Sequence, residues 1–93
     1  MTTLDIHHDT AASRFEARLA GGTAECTYRL HGRVMDIVHT EVPPQFEGRG
    51  IAAALVRTAL AHARAMGWKV RPSCSYVRSW MRRHPDTHDL LEA

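Results

Sequence analysis

Thr40-Glu41-Val42-Pro43-Pro44-Gln45-Phe46-Glu47-Gly48-Arg49-Gly50-Ile51-Ala52 leads straight into an Ala/Leu-rich segment, and the rest of the chain is read outward from this stretch. Pro43 and Pro44 have no amide hydrogen to give a sheet and hold Val42 extended, so a strand has to finish there. Gly48 and Gly50 then permit positive φ or a close backbone approach where a helix begins. The first amides of that helix have no partner within it. They converge on one point and the helix dipole adds positive potential, so the place suits an anion, and a diphosphate best of all. Arg49 adds a full charge beside them. Two glycines before a helix can equally serve only to close a tight turn.

Upstream of this stretch the pattern has period two. Ile6 to Asp9 reads as a short strand, and Thr10 to Ser13 as a turn. Arg14 to Leu19 alternates, with Phe15, Ala17 and Leu19 on one face and Arg14, Glu16 and Arg18 on the other. Gly21-Gly22 reads as a hairpin turn, after which Ala24, Cys26, Tyr28 and Leu30 form the apolar face of a third strand that ends near Gly32. Cys26 is expected to be a small buried hydrophobe. The fourth strand, 34–42, is apolar on both faces, which predicts a central strand covered on both sides. Strict alternation puts Met35, Ile37, His39 and Glu41 on one face. His39 and Glu41 then stand near the carboxyl end of the strand, where ligands bind in open α/β sheets.

Downstream the period changes to 3.6. From Arg49 to Met66, Ile51, Leu55 and Ala59 with Ala52, Val56, Leu60 and Ala63 make one broad apolar stripe, and Gly67 is the expected left-handed cap. Trp68 to Arg71 reads as a fifth strand stopped by Pro72. Strand, helix and strand make a crossover, so strands 34–42 and 68–71 are expected to be parallel. Ser73-Cys74-Ser75 can open a last short helix, Tyr76 to Arg83, which His84-Pro85-Asp86 stops. The tail at Leu90-Leu91 has two readings, a piece of strand or a segment packed on the sheet. The fold class predicted is α/β (α+β): a mixed sheet, antiparallel through strand 4, then a parallel fifth strand and a C-terminal helix.

Composition bounds the function. The 93 residues suffice for one domain, 1–93, with one core and no linker. No apolar run approaches the roughly 20 residues that span a bilayer. The N-terminal segment Met1 to His8 lacks a basic stretch followed by an apolar one, so a secretory leader is not expected and the cytoplasm is the default. Cys26 and Cys74 are not at Cys-x-x-Cys spacing and are expected to be free thiols. The net charge of +2 conceals a basic C-terminal third, Lys69, Arg71, Arg78, Arg82 and Arg83. A nucleic-acid surface would carry more lysine with interleaved aromatics, whereas a phosphorylated ligand explains the arginines as well. The 7 histidines include no pair at metal-ligand spacing, so no structural metal is predicted.

The loop and the segment after it resemble a known family. Gln45-x-x-Gly48-x-Gly50 is similar to the Q/R-x-x-G-x-G/A signature of GNAT acyltransferases. It differs from a Walker loop, which ends in Gly-Lys-Ser/Thr, and from the Rossmann fingerprint, whose third glycine is Ala53 here. Glu41-Val42-Pro43-Pro44, Lys69-Val70-x-Pro72-x-Cys74-x-Tyr76 and Arg83-His84-Pro85-Asp86 look like the small, stand-alone GNAT-like family with a cysteine after the fifth strand. The likeness covers nearly the whole chain and is strongest from 39 to 86. It implies an N-acetyltransferase that takes acetyl-coenzyme A as co-substrate and a primary amine of a protein, polyamine or small molecule as acceptor. The cofactor residues implied are Val42, Gln45, Phe46, Glu47, Gly48, Arg49, Gly50, Ile51, Ala52 and Cys74, the last where the pantetheine arm would end.

For catalysis the candidates are Glu41 or His39 as general base and Cys74, Tyr76 or water as proton donor. Larger relatives carry a tyrosine seven residues after the position of Cys74; that place holds Met81, which cannot donate a proton. Two routes stay open, direct attack by the amine and transfer through Cys74, whose place near a helix start and Arg71 favours a thiolate. A non-catalytic acetyl-coenzyme A sensor or adaptor is the reading from another class. Residues 10–13 leave room only for a turn, so no helices enclose the acceptor side, and an exposed amine is the expected acceptor. As to assembly, a monomer or weak homodimer is expected.

Overall fold

The computed structural model describes residues 4–92. The first three residues of the segment read above for a leader lie outside them. The elements are β1 (Ile6–Asp9), β2 (Arg14–Leu19), β3 (Gly22–His31), β4 (Val34–Glu41), a 3-10 turn (Pro44–Phe46), α1 (Ile51–Met66), β5 (Lys69–Pro72), α2 (Ser75–Arg82) and a 3-10 segment (Pro85–Leu90). The strands lie in sequence order, β1-β2-β3-β4-β5, antiparallel up to β4 and parallel between β4 and β5. This is the mixed sheet the periodicities predict. The tail does both things open to it: Leu91 makes an isolated parallel bridge to Val70, and Leu90 is buried.

One core holds the molecule together. Phe15 and Ala17 of β2, Ala24, Cys26 and Tyr28 of β3, Met35 and Ile37 of β4 and Val70 of β5 form its floor. The stripe of α1, Ile51, Leu55, Val56, Ala59, Leu60 and Ala63, closes it from above. Ala59 and Ala63 are fully buried and add no bulk, so the helix axis can approach the sheet closely. Gly67 ends α1 at φ 72, with Trp68 N–H donating to the Ala63 carbonyl and Gly67 N–H to that of Arg64. This bond pair needs a left-handed residue and uses two carbonyls the helix end leaves free. α2 adds Val77, Trp80 and Met81 to the same core and lies beside α1, with Arg57 over the Trp80 ring at 5.7 Å.

The prediction for the fourth strand is corrected in two respects. Thr27 pairs with His39 and Tyr28 with Ile37, so β4 carries one extra residue, Val38, as a β-bulge. A one-residue insertion moves every later side chain to the other face. Met35 and Ile37 therefore point into the core, while His39 and Glu41 point away from it, opposite Thr27 and Glu25. The strand is not covered on both sides either. The face away from the helices carries Arg14, Glu16, Glu25, Thr27, Asp36, His39 and Glu41, and none of these is buried. Val38 made the pattern look doubly apolar because it occupies the bulge.

At the β1 edge, His8 stacks on Phe15 with ring centroids 4.0 Å apart, meets His62 edge-on at 4.5 Å and shares a 2.7 Å hydrogen bond with the Tyr28 hydroxyl. Burial first, then the neighbouring His62 and His7, holds the His8 imidazole below its usual value, against a smaller opposing effect of Asp9. A histidine whose folded value is depressed is charged more readily in the unfolded chain, so stability falls as pH drops below the ordinary histidine value of 6.5. The melting temperature is expected to fall on going from pH 7.5 to 5.5. His8→Phe, which keeps the stack but cannot be charged, is expected to lose less over the same interval; an equal loss in both proteins would assign the effect elsewhere.

Candidate functional site

The site forms where β4 and β5 part. Their register ends at Ile37 opposite Pro72, and the last link is the Cys74 amide, which donates to the Ile37 carbonyl at 2.8 Å. Beyond it β4 continues to Glu41 paired with β3 only, while the chain after Pro72 turns into α2. The prolines then act as expected: Phe46 N–H donates to the Pro43 carbonyl at 2.9 Å and Glu47 N–H to that of Pro44 at 3.2 Å. A tight turn results, and it delivers the chain to the start of α1.

Gly48 and Gly50 have φ of 79° and 77°, a conformation costly for residues with a Cβ. A Cβ on either would meet no protein atom within 4 Å, so both glycines border open space. Gly50 caps α1 without a side-chain hydrogen bond, and no acidic residue stands in the first turn. The first backbone bond of the helix is Ala54 N–H to the Gly50 carbonyl at 3.1 Å. Among the described residues, no amide from Gly48 to Ala53 donates to another backbone group. The donors at the positive end of the helix dipole are therefore free to receive an anion.

They open on a cleft of about 450 Å³ lined by Val42, Phe46, Glu47, Gly48, Gly50, Ile51, Ala52, Ala53 and Tyr76. The structure thus brings together most of the loop residues singled out from sequence and adds Ala53, one turn into the helix. Gln45 is exposed and does not line the cleft. Arg49 turns to the far flank of Phe46, its guanidinium 5.4 Å from the ring centroid, where it borders a second cavity with Leu4, Leu19, Ala20 and Ile51. Glu47 puts a carboxylate at the rim.

The titratable candidates divide between the two faces of the sheet. His39 and Glu41 pair at 3.6 Å on the open face, with side chains 57% and 61% exposed, so solvent reaches both. Cys74 is half-buried on the core side, at the parting of the strands. Arg71 is not free to act on it, because its guanidinium is held by Glu92 and lies 3.9 Å from Asp36. The expected help from that charge is withdrawn by partners distant in sequence. Cys26 is fully buried, and desolvation pushes its thiol up to about 11. Thr40, which the sequence reading passed over, lies between the two thiols; only knowledge of the bulge would have pointed to it.

A mixed five-stranded sheet whose fourth and fifth strands part beside a glycine turn and a helix start defines an acyltransferase-type architecture. The sequence profile of the family described as GCN5-related N-acetyl-transferase matches residues 14–90. Protein NATD1 of Homo sapiens is 34% identical over 83 residues, spanning 86% of this chain and 74% of that protein. Protein NATD1 of Gallus gallus is 33% identical over 85 residues, spanning 88% and 77%. The solution structure of a GCN5-like protein from Staphylococcus aureus superposes with a TM-score of 0.78 at 25% identity, covering all of this chain and 92% of that one. The chain belongs to the GCN5-related N-acetyltransferase family.

The different burial of the two thiols is directly measurable. In the native protein iodoacetamide is expected to alkylate Cys74 and to spare Cys26 until the chain unfolds, since the thiolate is the reactive species and Cys26 is both covered and hard to ionise. Peptide mass spectrometry before and after denaturation reads this out. Rapid native labelling of Cys26 would contradict its place in the core.

Proposed function

We propose that the protein transfers the acetyl group of acetyl-coenzyme A to an exposed primary amine, with the cleft at the start of α1 as the donor site. The observation that carries this reading is the run of amides from Gly48 to Ala53 that make no backbone bond, beside a cleft and at a turn made by two glycines of positive φ. These amides and the helix dipole would hold the diphosphate, with Val42, Phe46 and Tyr76 as apolar walls. The donor supplies a thioester carbonyl to the reaction. Free backbone groups of β4 beyond Ile37, where β5 no longer covers them, are placed to hydrogen-bond the pantetheine arm and the carbonyl oxygen.

Acceptor chemistry is read from the open face. Glu16 pairs with Glu25 and Glu25 with Glu41, so three carboxylates lie in a row across β2, β3 and β4. Arg14 offsets part of this charge, at 3.3 Å from Glu16 and 3.9 Å from Glu25. Like charges directly opposite one another destabilise a sheet, and a cationic acceptor would relieve that cost. A polyamine or a lysine side chain is the matching class. Glu41 ends the row beside the gap between β4 and β5, and there it would accept the proton of the attacking amine, with His39 at 3.6 Å as its neighbour. Met81 is 1% exposed and belongs to the core, so the proton for the departing thiolate would come from Cys74 or Tyr76. The buried Met81 also favours a second reading, a binder of acetyl-coenzyme A that does not turn it over.

Coenzyme A is expected to raise the melting temperature, by about 2.7 kcal/mol of added stability at roughly a hundredfold excess over Kd. Gly50→Val is expected to lose this shift, and to lower the unliganded melting temperature because a β-branched residue at φ 77 is strained. Coenzyme affinity unchanged from the native protein in both Gly48→Val and Gly50→Val would sink the donor site. In turnover with spermidine or a lysine peptide, Glu41→Gln should cost on the order of 10²–10⁴ in kcat with coenzyme affinity kept. Glu25→Gln should raise KM for the cationic acceptor and weaken its salt dependence. Absence of turnover with every amine, coenzyme binding being intact, would favour the binder.

A further inference from the structure

Thr40 stands between two thiols on the core side of β4. The bulge at Val38 turns its side chain inward, opposite Cys26 of β3. From the other flank, the bond between the Cys74 amide and the Ile37 carbonyl brings the start of α2 against the same stretch of β4. The Cys74 thiol donates to Thr40 Oγ1 at 3.7 Å, and the Thr40 hydroxyl donates to Cys26 Sγ at 4.0 Å, distances within reach of sulfur's larger radius. The two cysteines flank β4 on opposite sides, which places their Cα atoms about two strand spacings, ~9–10 Å, apart. That exceeds the roughly 7 Å limit for a disulfide, so this is a hydrogen-bond relay and not a redox pair.

A hydroxyl has one proton and two lone pairs, so it donates to one sulfur at a time. Cys26 is sealed in the core and stays a neutral thiol at physiological pH, which makes it a weak acceptor. A charged sulfur is a much stronger one. Whenever Cys74 loses its proton, the Thr40 hydroxyl gains by swinging from Cys26 to Cys74. We infer that Thr40 is a positioning residue, a rotor that holds the Cys74 thiol as a donor and then stabilises its thiolate. The inference rests on the reading of the cleft as the acetyl-coenzyme A site; Cys74 does not line that cleft, so the pantetheine arm would run on from it along β4 to bring the thioester beside Cys74. In direct transfer the amine nitrogen bonds to the carbonyl carbon, and the carbon–sulfur bond breaks with its electron pair on the coenzyme sulfur. Cys74 Sγ gives that sulfur its proton while Thr40 turns to the new thiolate. The cationic acceptor gives its first proton to solvent before it attacks; Glu41 then takes the second amine proton and releases it to solvent, from which Cys74 is reprotonated, so one proton is released per acetyl group transferred.

The test is the alkylation rate of Cys74 by iodoacetamide as a function of pH, read on the peptide containing it, in the native protein, Thr40→Val, Thr40→Ser and Cys26→Ala. All four are first checked for cooperative melting. Thr40→Val keeps the volume and removes the hydroxyl, and should slow Cys74 alkylation near neutral pH by roughly tenfold, the lower end of the worth of one hydrogen bond to a charged group. Thr40→Ser should restore the native rate. Cys26→Ala leaves the hydroxyl no other sulfur to serve and should speed alkylation, the opposite sign. A native rate in Thr40→Val, or slowing in Cys26→Ala, would overturn the role, because simple loosening of the packing acts in one direction on both variants. Coenzyme affinity by calorimetry is expected to be unchanged in Thr40→Val and Thr40→Ser. Failure of coenzyme A to bind any of the four proteins would instead overturn the donor site, whatever the alkylation rates.

Discussion

The architecture of the site depends on one extra residue in one strand. Side chains on a strand alternate, so the faces of everything after Val38 are set by whether Val38 is counted in the ladder or bulged out of it. Bulged, Glu41 and His39 face solvent while Thr40 meets the core beside Cys26. In strict register Glu41 would be driven beneath α1 among Ile51 and Leu55, and an unpaired carboxylate there would cost several kcal/mol or take up a proton. The bulge follows at once on Ile37, whose carbonyl takes the last bond from the β5 side. β4 therefore changes its facing and loses its β5 neighbour within one residue.

The loop is the second constraint, and its support lies elsewhere in the chain. A Cβ on Gly22 would sit 3.1 Å from Pro43, so the β2–β3 hairpin packs closely against the first proline of the turn. Gly22 is thus chosen by a neighbour 21 positions away, in a contact that local turn rules do not foresee. With Pro43 braced, Pro44 to Phe46 makes its single 3-10 turn and the two left-handed glycines aim the chain into α1. The helix start has neither a capping side chain nor an acidic residue in its first turn. Evolutionary optimisation for stability alone would place Ser, Thr or Asp at the cap. Leaving the amides bare fits a site where something else supplies the negative charge.

Legibility of the sequence followed from how local each determinant is. β2 and β3 alternate as far as Tyr28, and α1 carries an unbroken stripe closed by Gly67, so their types and faces could be read directly; Leu30, expected on the apolar face of β3, is exposed at its end. β4 could not, because a bulge residue that is itself apolar imitates a strand covered on both faces. The same misreading hid Thr40, which strict alternation assigns to the wrong side. Arg71 shows a different limit: it stands three residues before Cys74 in sequence, yet Glu92, from the tail, holds its guanidinium. Most of the loop's lining residues were legible because proline and glycine act on the backbone, whereas the outward turn of Arg49 onto Phe46 is a side-chain choice that no local pattern encodes.

The packing of α2 accounts for the missing tyrosine. Its eight residues bury Val77, Trp80 and Met81, so a side chain at position 81 is turned into the core and away from the cleft. At about 100° per residue, position 76 lies roughly 140° around the helix from position 81. Tyr76, in the first turn, is the α2 residue that lines the cleft. A tyrosine placed at 81 on this backbone would overpack the core without reaching the cleft. The short segment between β5 and α2 thus dictates which of its groups stand near the parting of the strands: Tyr76, on the cleft wall, and Cys74, held by the Ile37 bond and the Thr40 hydroxyl.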